Sequence, residues 1–356
     1  MNEDTVKLTS YFGERQRAGG RFAADALLDL YGQEQVAASI LLRGVAGFGA
    51  ARRPSTDGSL TLSEDLPLTA VAVDQRARIE PLAEQAARLC GGGLVTLERA
   101  RLLSGDISPV TLPEDLHEET KLTLYLGRQE RVGRTPGYIA VCELLHARGV
   151  AGATALLGVD GTAHGQRERA AFFSRNAGTP VMVIAVGAGP RFARLLPELG
   201  GLLRRPLLTL ERVRICKRDG QLLARPAPPP ASAAADDLAA PPAGPGLAGT
   251  PPWQKLMVYT SETALHDGQP VHRAIMRRLL AAGISGATTQ RGVWGFHGAR
   301  PPHGDRLLQL GRHVPAVTVV VDSPGRTAAA FAVIDELTST HGLVTCETVP
   351  EVRRGG

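Results

Sequence analysis

The sequence predicts an α+β protein of three tandem modules, each with the element order β-α-β-β-α-β. The first observation is a lysine-led apolar run followed at a constant distance by a glycine, in three copies: Lys7 and Gly44, Lys121 and Gly158, Lys255 and Gly292. The second is alternation of apolar and polar residues in the run that begins at Lys121, with Leu122, Leu124 and Leu126 on one face, which is the period of a half-buried strand. The third is an i, i+4, i+8 apolar stripe formed by Val271, Ile275 and Leu279, which indicates a helix. A repeat of about 95 residues indicates three copies of one small domain.

The first helix of each module is predicted from its boundary residues. Pro136 and Pro270 suit the first helical position, because proline lacks the N–H that would be unpaired there. Three glycines suit a left-handed position after the helix: Gly32, Gly149 and Gly283. A second strand then leads into a Gly-rich turn and a polar loop, at about 50–60, 164–171 and 299–307.

The second half of each module repeats the pattern. An apolar third strand precedes a second helix, predicted at about 81–89, 197–203 and 326–339. A closing strand with the pattern Leu-Val/Leu-Thr-Leu/Cys-Glu follows, ending at Glu98, Glu211 and Glu347. This order is the ferredoxin-like arrangement, in which a four-stranded sheet carries both helices on one face. The other face is apolar and uncovered, so we expect the modules to associate through it.

Composition sets limits on the class of protein. The net charge is +5, carried almost wholly by arginine, which is compatible with an anionic ligand. No apolar run reaches the ~20 residues of a membrane helix, and the N-terminus has no signal-peptide pattern, so we expect a cytoplasmic protein that is not membrane-inserted. Four cysteines lie singly, which indicates reduced thiols instead of disulfides or a zinc site: Cys90, Cys142, Cys216 and Cys346.

The predicted domain organisation is three repeats and two linkers. Repeat 1 covers 1–104, a linker covers 105–120, and repeat 2, the divergent copy, covers 121–217. A Pro/Ala-rich linker at 218–252 cannot bury enough apolar surface to fold and is predicted to be disordered. Repeat 3 covers 253–352.

Several blocks resemble the PII-like proteins known as domain of unknown function 190. They include the opening Lys121-Leu122-Thr123-Leu124-Tyr125, the block Leu42-Arg43-Gly44-Val45-Ala46-Gly47 and the closing Gly93-Leu94-Val95-Thr96-Leu97-Glu98. The resemblance covers all three repeats and neither linker. It implies a fold that assembles as a trimer, which three linked copies would form as an intramolecular pseudo-trimer of a monomeric chain. Some relatives are encoded near fluoride channels, so a membrane channel or transporter is a candidate partner.

The first candidate site is the Gly-rich turn, with Arg43, Gly44, Gly47 and Gly49 in repeat 1. Closely spaced glycines let backbone N–H groups approach an anion, and an arginine pairs with phosphate. Repeat 3 offers the same chemistry at three residues: Arg291, Gly292 and Gly295. The alternative is that these glycines only permit a bend of the backbone.

The second candidate site is the loop of Gly91, Gly92 and Gly93, which corresponds to a phosphate-contacting loop of PII proteins; its alternative role is to end a helix. Repeat 2 lacks the arginine and places Asp160 in its turn. We therefore expect at most two of three clefts between repeats to bind an anion.

The sequence therefore indicates a PII-like regulatory protein that binds a small anionic ligand, with an adenine nucleotide as one candidate, and acts on a partner protein. Motifs for an enzyme, a metal site or a cofactor are missing, so none is expected. Nucleic-acid binding is not expected, because an RNA-binding sheet needs exposed aromatic residues and the sequence has only 4% aromatics, although Tyr11, Tyr125 and Tyr259 share a column. The alternatives are an interaction scaffold without ligand and an enzyme with one working cleft.

Overall fold

The computed structural model describes residues 2–49, 53–57, 65–107, 112, 116, 118–163, 166–169, 179–226, 252–298, 301–304 and 314–354. The predicted disordered segment lies mostly outside them, as do most of the three polar loops. In the described part the protein is mixed α/β, with one 20-stranded sheet system, three two-stranded hairpins and six helices. None of the described helices is long and apolar enough to cross a bilayer.

The principal elements of each repeat follow the predicted β-α-β-β-α-β order, with short extra strands. Repeat 1 contains β1 (Asn2–Gly13), β2 (Arg17–Ala18), β3 (Arg21–Phe22), α1 (Ala23–Gln33), β4 (Ala38–Phe48), β5 (Ser55–Thr56), β6 (Pro67–Gln75), α2 (Arg76–Cys90) and β7 (Leu94–Ser104). Repeat 2 contains β8 (Glu119–Gly127), β9 (Arg131–Val132), β10 (Thr135–Pro136), α3 (Gly137–Ala147), β11 (Gly152–Leu157), β12 (Asp160–Ala163), β13 (Gln166–Arg169), β14 (Pro180–Ala188), α4 (Gly189–Leu202), β15 (Leu207–Arg212), β16 (Arg214–Arg218) and β17 (Gln221–Leu222). Repeat 3 contains β18 (Trp253–Ser261), β19 (Leu265–His266), β20 (Gln269–Pro270), α5 (Val271–Ala281), β21 (Ala287–Arg291), β22 (Trp294–His297), β23 (His303–Gly304), β24 (Pro315–Asp322), α6 (Pro324–Leu337), β25 (Leu343–Val349) and β26 (Glu351–Arg354).

Each repeat forms an antiparallel sheet with the same strand order. In repeat 1 the order is β4-β6-β1-β7, in repeat 2 it is β11-β14-β8-β15, and in repeat 3 it is β21-β24-β18-β25. The inner strands β6, β14 and β24 are buried at nearly every position. Both faces of these strands are covered, which explains why they read as continuous apolar runs instead of alternating ones.

The repeats pair with one another in a closed cycle. The end of β7 pairs with β15, β16 pairs with β25, and β26 returns to the start of β7. The second strands of the repeats and the short strands after them form another closed cycle of antiparallel pairings. In it, β4 pairs with β12 and β21, and β11 pairs with β22. In the described residues, therefore, strands of every repeat pair with strands of both other repeats.

Four hydrophobic clusters match this arrangement. One cluster lies between the helices and the sheet of each repeat, and a fourth draws residues from all three repeats. The fourth cluster contains Val73, Val186 and Val321 from the corresponding inner strands. The sheet face predicted to be uncovered is therefore buried at the centre of the molecule, where removing apolar surface from water stabilises the fold by roughly 25 cal/mol per Å².

Several local predictions need correction. Pro136 and Pro270 cap helices that begin one residue later. Gly149 and Gly283 have the expected positive φ of 69° and 79°. Gly32, however, lies inside α1, and Gln35 with φ 49° takes the left-handed position of repeat 1.

The second helices begin earlier than predicted, at Arg76 and Gly189, so that Pro81 and Pro197 lie inside them. Their buried apolar stripes start before the prolines, at Ile79 and at the fully buried Phe192. The stripe therefore sets the start of the helix, even though an interior proline removes a backbone hydrogen bond.

The first linker packs onto repeat 2 where the structure describes it. Ile107, Leu112 and Leu116 are at most 4% exposed and belong to the repeat 2 cluster. At the start of the second linker, strand β16 is followed by a hairpin to β17, so ordered structure continues past the predicted boundary.

Candidate functional site

Six buried charged side chains meet where the three sheets face one another. Strand pairing sets Lys7 opposite Glu98, Lys121 opposite Glu211 and Lys255 opposite Glu347. In each repeat the lysine lies on the first strand and the glutamate on the last. We call these six residues the Lys–Glu ring.

The ring alternates positive and negative groups around a closed circuit. Within a repeat, the Nζ–Oε2 distances are 2.8 Å for Lys7–Glu98, 3.0 Å for Lys121–Glu211 and 3.4 Å for Lys255–Glu347. Each lysine also contacts the glutamate of another repeat: Lys7 with Glu211, Lys121 with Glu347 at 2.5 Å, and Lys255 with Glu98. Every ammonium group therefore bridges two repeats, and the three positive and three negative charges balance.

Burial and mutual attraction act in opposite directions on these groups. Burial alone lowers the pKa of Lys7, but the carboxylates of Glu211 and Glu98 outweigh it and raise that pKa well above its ordinary value. Burial alone raises the pKa of Glu98, but Lys255 and Lys7 hold it well below its usual range. Burial alone also raises the pKa of Glu211, but Lys121 and Lys7 outweigh it and lower that pKa. The attraction between neighbours favours the charged forms of Lys7, Glu98 and Glu211. For Lys121 burial outweighs the attraction of Glu211 and Glu347, and its pKa is lowered.

The three ring carboxylates also lie close enough to be considered as a metal site. One oxygen each from Glu98, Glu211 and Glu347 lies within 4.8 Å of the others. The three ammonium groups already contact these oxygens and neutralise them. A metal cation here would have to displace ammonium groups held in a buried site, so the donor set favours the lysines over a metal.

The predicted Gly-rich turn of repeat 1 is mostly strand. Gly44 and Gly47 lie in β4 and Gly49 follows its end. A Cβ at Gly44 would lie 2.7 Å from Pro67 and 3.1 Å from the carbonyl oxygen of Thr289 in repeat 3. These glycines are needed because the backbone of the neighbouring repeat approaches closely. A Cβ at Gly49, by contrast, would meet nothing within 4 Å.

Arg43 lies beside this strand on the surface of repeat 1. Its Nε and Nη2 donate to the two carboxylate oxygens of Glu14 at 3.0 and 2.8 Å. Both side chains are substantially exposed, at 50% and 38%. Because the guanidinium has a carboxylate partner of its own, an anion would have to compete with Glu14 for it.

The predicted site of repeat 3 lies at the junction with repeats 1 and 2. Arg291 contacts Glu262 of its own repeat at 2.6 Å and Asp57 of repeat 1 at 3.0 Å. The Gly292 N–H donates to the Pro315 carbonyl at 2.7 Å, and a Cβ there would lie 2.9 Å from Thr154 of repeat 2. A Cβ at Gly295 would collide with the backbone of Ala153, also in repeat 2.

A buried histidine lies close to this junction. His272 is 4% exposed, and its Nδ1 has no hydrogen-bond partner among the described residues. Burial lowers its pKa, so the neutral form is favoured near pH 7.

The Gly91–Gly93 loop lies apart from Arg43. Arg43 is on the edge strand β4 and the loop precedes the opposite edge strand β7, with β6 and β1 between them. Three strand spacings separate these edges by roughly 14 Å. Gly91 has φ 53°, a left-handed value at the end of α2, and Gly93 packs against the Tyr11 carbonyl. The ten predicted residues therefore do not converge on one cleft, and ligand binding by them stays a prediction.

Repeat 2 differs at the same positions. Leu157 takes the place of the arginine, and Arg128 takes the place of its glutamate partner. Asp160 is 4% exposed, and its Oδ1 accepts from the Gly161 N–H at 2.7 Å. The divergent turn of repeat 2 is thus part of the strand ladder with repeat 1.

The tyrosine column faces the central cluster. Tyr125 and Tyr259 are 3% and 5% exposed, and Tyr11 packs partly buried against the same residues. Burial raises the pKa of all three phenols. The exposed aromatic surface that base stacking requires is therefore not formed by these residues.

The Lys–Glu ring was not predicted, although the sequence contains a signal for it. Lysine occurs at only four positions, and three of them share one column of the repeat: Lys7, Lys121 and Lys255. Three glutamates share another column on the last strand. The fourth lysine, Lys217, is also buried, and its Nζ contacts Asp335 of repeat 3 at 2.6 Å. Every lysine of the chain therefore joins two repeats.

Comparison with known proteins agrees with the repeat analysis. The model of the family DUF190, described as an uncharacterized ACR, matches residues 5–102, 119–215 and 253–351. A UPF0166 protein of Aquifex aeolicus (strain VF5) is 27% identical over 95 residues, which cover 26% of this chain and 88% of that protein. That relative has about the length of one repeat. The resemblance inferred from the sequence is confirmed, and the chain belongs to the DUF190 family, with three copies of its domain in tandem.

Proposed function

We propose that the chain is a non-catalytic, PII-like regulatory protein of the cytoplasm, in which three ferredoxin-like repeats form an intramolecular pseudo-trimer. A small anionic ligand binds in a cleft between repeats and changes the contacts of the protein with a partner. The sheet order of each repeat, the cyclic strand pairing and the Lys–Glu ring support the architecture.

One observation carries the ligand-binding part of the proposal. Arg291 of repeat 3 contacts Asp57 of repeat 1 across their junction, and residues on both sides of that junction line an open cleft of about 310 Å³. Ligand sites often lie between domains and have volumes of roughly 300–1,000 Å³. A ligand bound there would contact two repeats at once, so it would favour one arrangement of the segments beside the junction.

A thermal-shift panel tests the proposal. AMP, ADP, ATP and inorganic phosphate are added to the full chain, because a ligand that binds only the folded state raises its melting temperature. We expect a concentration-dependent increase with at least one organic phosphate, reduced in Arg291→Ala. The control Arg148→Ala removes an exposed arginine that pairs with Glu198 elsewhere on the surface.

A second function is favoured by the glycine contacts. Gly44, Gly158 and Gly292 are tightly packed against neighbouring strands, so they serve closure of the repeats without any ligand. The corresponding proposal is an interaction scaffold. If none of the ligands in the panel changes the melting temperature of the wild-type protein, that result supports the scaffold and overturns the ligand-binding regulator.

A further inference from the structure

The cleft between repeats 3 and 1 has one strongly positive wall. Helix α5 of repeat 3 contributes Arg273 and Arg277, and repeat 1 contributes the end of β4 and the segment that includes β5. We propose that this cleft is a binding site for one organic phosphate per chain, held by these two arginines. The inference rests on the proposed function and names the location, the ligand class and the stoichiometry.

These two arginines have no ion-pair partner among the described residues. They lie one helical turn apart and are both exposed. No described carboxylate lies within ion-pair distance of either, whereas Arg278 on the same helix is paired with Glu336 at 2.6 Å. Like charges at i, i+4 repel one another, so an anion between them would relieve the repulsion. A guanidinium group binds phosphate through two parallel hydrogen bonds, which makes two arginines a suitable cradle.

The rest of the cleft suits an apolar body. Phe48, Met276 and Leu280 line it together with Pro54. Phe48 and Met276 are buried, at 7% and 8% exposed, so they form a floor and not a mobile surface. A ligand with a phosphate group on an aromatic or apolar body therefore fits better than a bare inorganic anion.

The other two repeats lack this pair of charges. The three first helices have equal length, so Arg273 corresponds to Asp25 in repeat 1 and Ile139 in repeat 2. Arg277 corresponds to Asp29 and Glu143. Helix α1 also packs beside β12 of repeat 2, but it carries Asp25 and Asp29 in place of the two arginines, and Asp29 is paired with Arg21. At these two helix positions, among the described residues, only the junction of repeats 3 and 1 presents two positive charges.

The junction also has a link to Arg291. Thr56 lines the cleft, and its neighbour Asp57 is held by Arg291 at 3.0 Å. Arg291 thus acts as a positioning residue for the repeat 1 side of the cleft, while Arg273 and Arg277 would contact the ligand.

Isothermal titration calorimetry on the full chain tests the site. The probes are AMP and phenyl phosphate as organic phosphates, adenosine without the phosphate, and inorganic phosphate without the apolar body. We expect one AMP or phenyl phosphate per chain, and binding at least ten-fold weaker for adenosine and for inorganic phosphate. Arg273→Ala and Arg277→Ala should each weaken binding about ten-fold or more, as expected for loss of a charged hydrogen bond.

Two controls separate the possible results. Arg194→Ala removes an exposed arginine on a helix of repeat 2 and should leave affinity unchanged. Circular-dichroism melting checks that each variant is folded. If AMP binds but the double variant Arg273→Ala/Arg277→Ala binds it equally well, or if three equivalents bind, the inference is overturned while the proposed function stands. If neither organic phosphate binds the wild type at millimolar concentration, the inference is overturned, and the proposed function is overturned as well only if ADP, ATP and inorganic phosphate also give no thermal shift.

Discussion

Replacing Lys7 with methionine removes one ammonium group from the Lys–Glu ring and keeps most of the side-chain volume. The ring then holds two positive and three negative buried groups, and Glu98 and Glu211 each lose one partner. Removing one partner of a buried ion pair typically costs about 3–5 kcal/mol, because an uncompensated charge stays buried. We expect the free energy of unfolding of Lys7→Met to be lower than that of the wild type by an amount in that range.

A second substitution in the same ring should recover part of this loss. The Lys7→Met/Glu211→Leu double variant removes an adjacent pair and leaves the connected chain Glu98–Lys255–Glu347–Lys121. Its charges balance again, so it should be more stable than Lys7→Met alone. This is the coupling that a double-mutant cycle measures.

The control combines residues on opposite sides of the ring. Lys7→Met/Glu347→Leu also balances the charges, but it leaves only two separate pairs, Lys255–Glu98 and Lys121–Glu211. The adjacent double variant should therefore be the more stable of the two. Equal stability of both would show that net charge alone matters and that the alternating circuit does not.

Urea unfolding of the full chain, followed by far-UV circular dichroism, measures these differences. With a slope of about 3 kcal/mol/M, a loss of 3–5 kcal/mol lowers the midpoint by roughly 1–1.7 M. A loss below about 1 kcal/mol for Lys7→Met, the size typical of an exposed pair, would refute the reasoning that the ring is buried and closed.

Three further predictions concern pH, packing and thiol chemistry. The pKa values of Glu98 and Glu211 are lowered in the folded protein, so their contribution to stability is complete above the unfolded-state pKa of about 4.3 and is lost as pH falls below it. The urea midpoint should therefore drop steeply below pH 4. A midpoint that stays constant down to pH 2.5 would contradict this. Gly161→Ala places a methyl group against the backbone of repeat 1 and should cost about 1–3 kcal/mol, whereas Gly127→Ala meets nothing within 4 Å and should cost less in the same unfolding assay. Burial raises the pKa of the Cys90 thiol to about 12, so Ellman's reagent at pH 8 should react with it only after denaturant is added, and rapid reaction of the native protein would contradict its burial.

The repeats and their elements were predictable because they rest on local patterns. Strand period, apolar stripes and the threefold spacing gave three β-α-β-β-α-β units, and comparison of three copies removed much of the ambiguity of a single one. Errors occurred where tertiary contacts decide. Gly44 reads as a turn residue, but it lies in β4, where a Cβ would be 2.7 Å from Pro67 and 3.1 Å from the Thr289 carbonyl oxygen of repeat 3.

The candidate site was less predictable, because its parts come from different repeats. Arg43 and the Gly91–Gly93 loop belong to one repeat, yet the sheet order sets them on opposite edges. Arg291 and Asp57 are far apart in sequence, yet they contact each other at the junction of repeats 3 and 1. Local spacing cannot predict which repeat lies beside which, although the rarity of lysine and its fixed column gave a signal for contact.

The four lysines provide the most direct test that the repeats close on one another. Acetylation of the native protein is followed by peptide mass spectrometry, which reports Lys7, Lys121, Lys217 and Lys255 separately. Each is at most 6% exposed and paired with a carboxylate of another repeat. The account predicts that all four stay unmodified until urea unfolds the chain. Modification of the three ring lysines in the native protein, at the rate of free lysine, would show that the sheet faces are open to solvent and would contradict the closed arrangement.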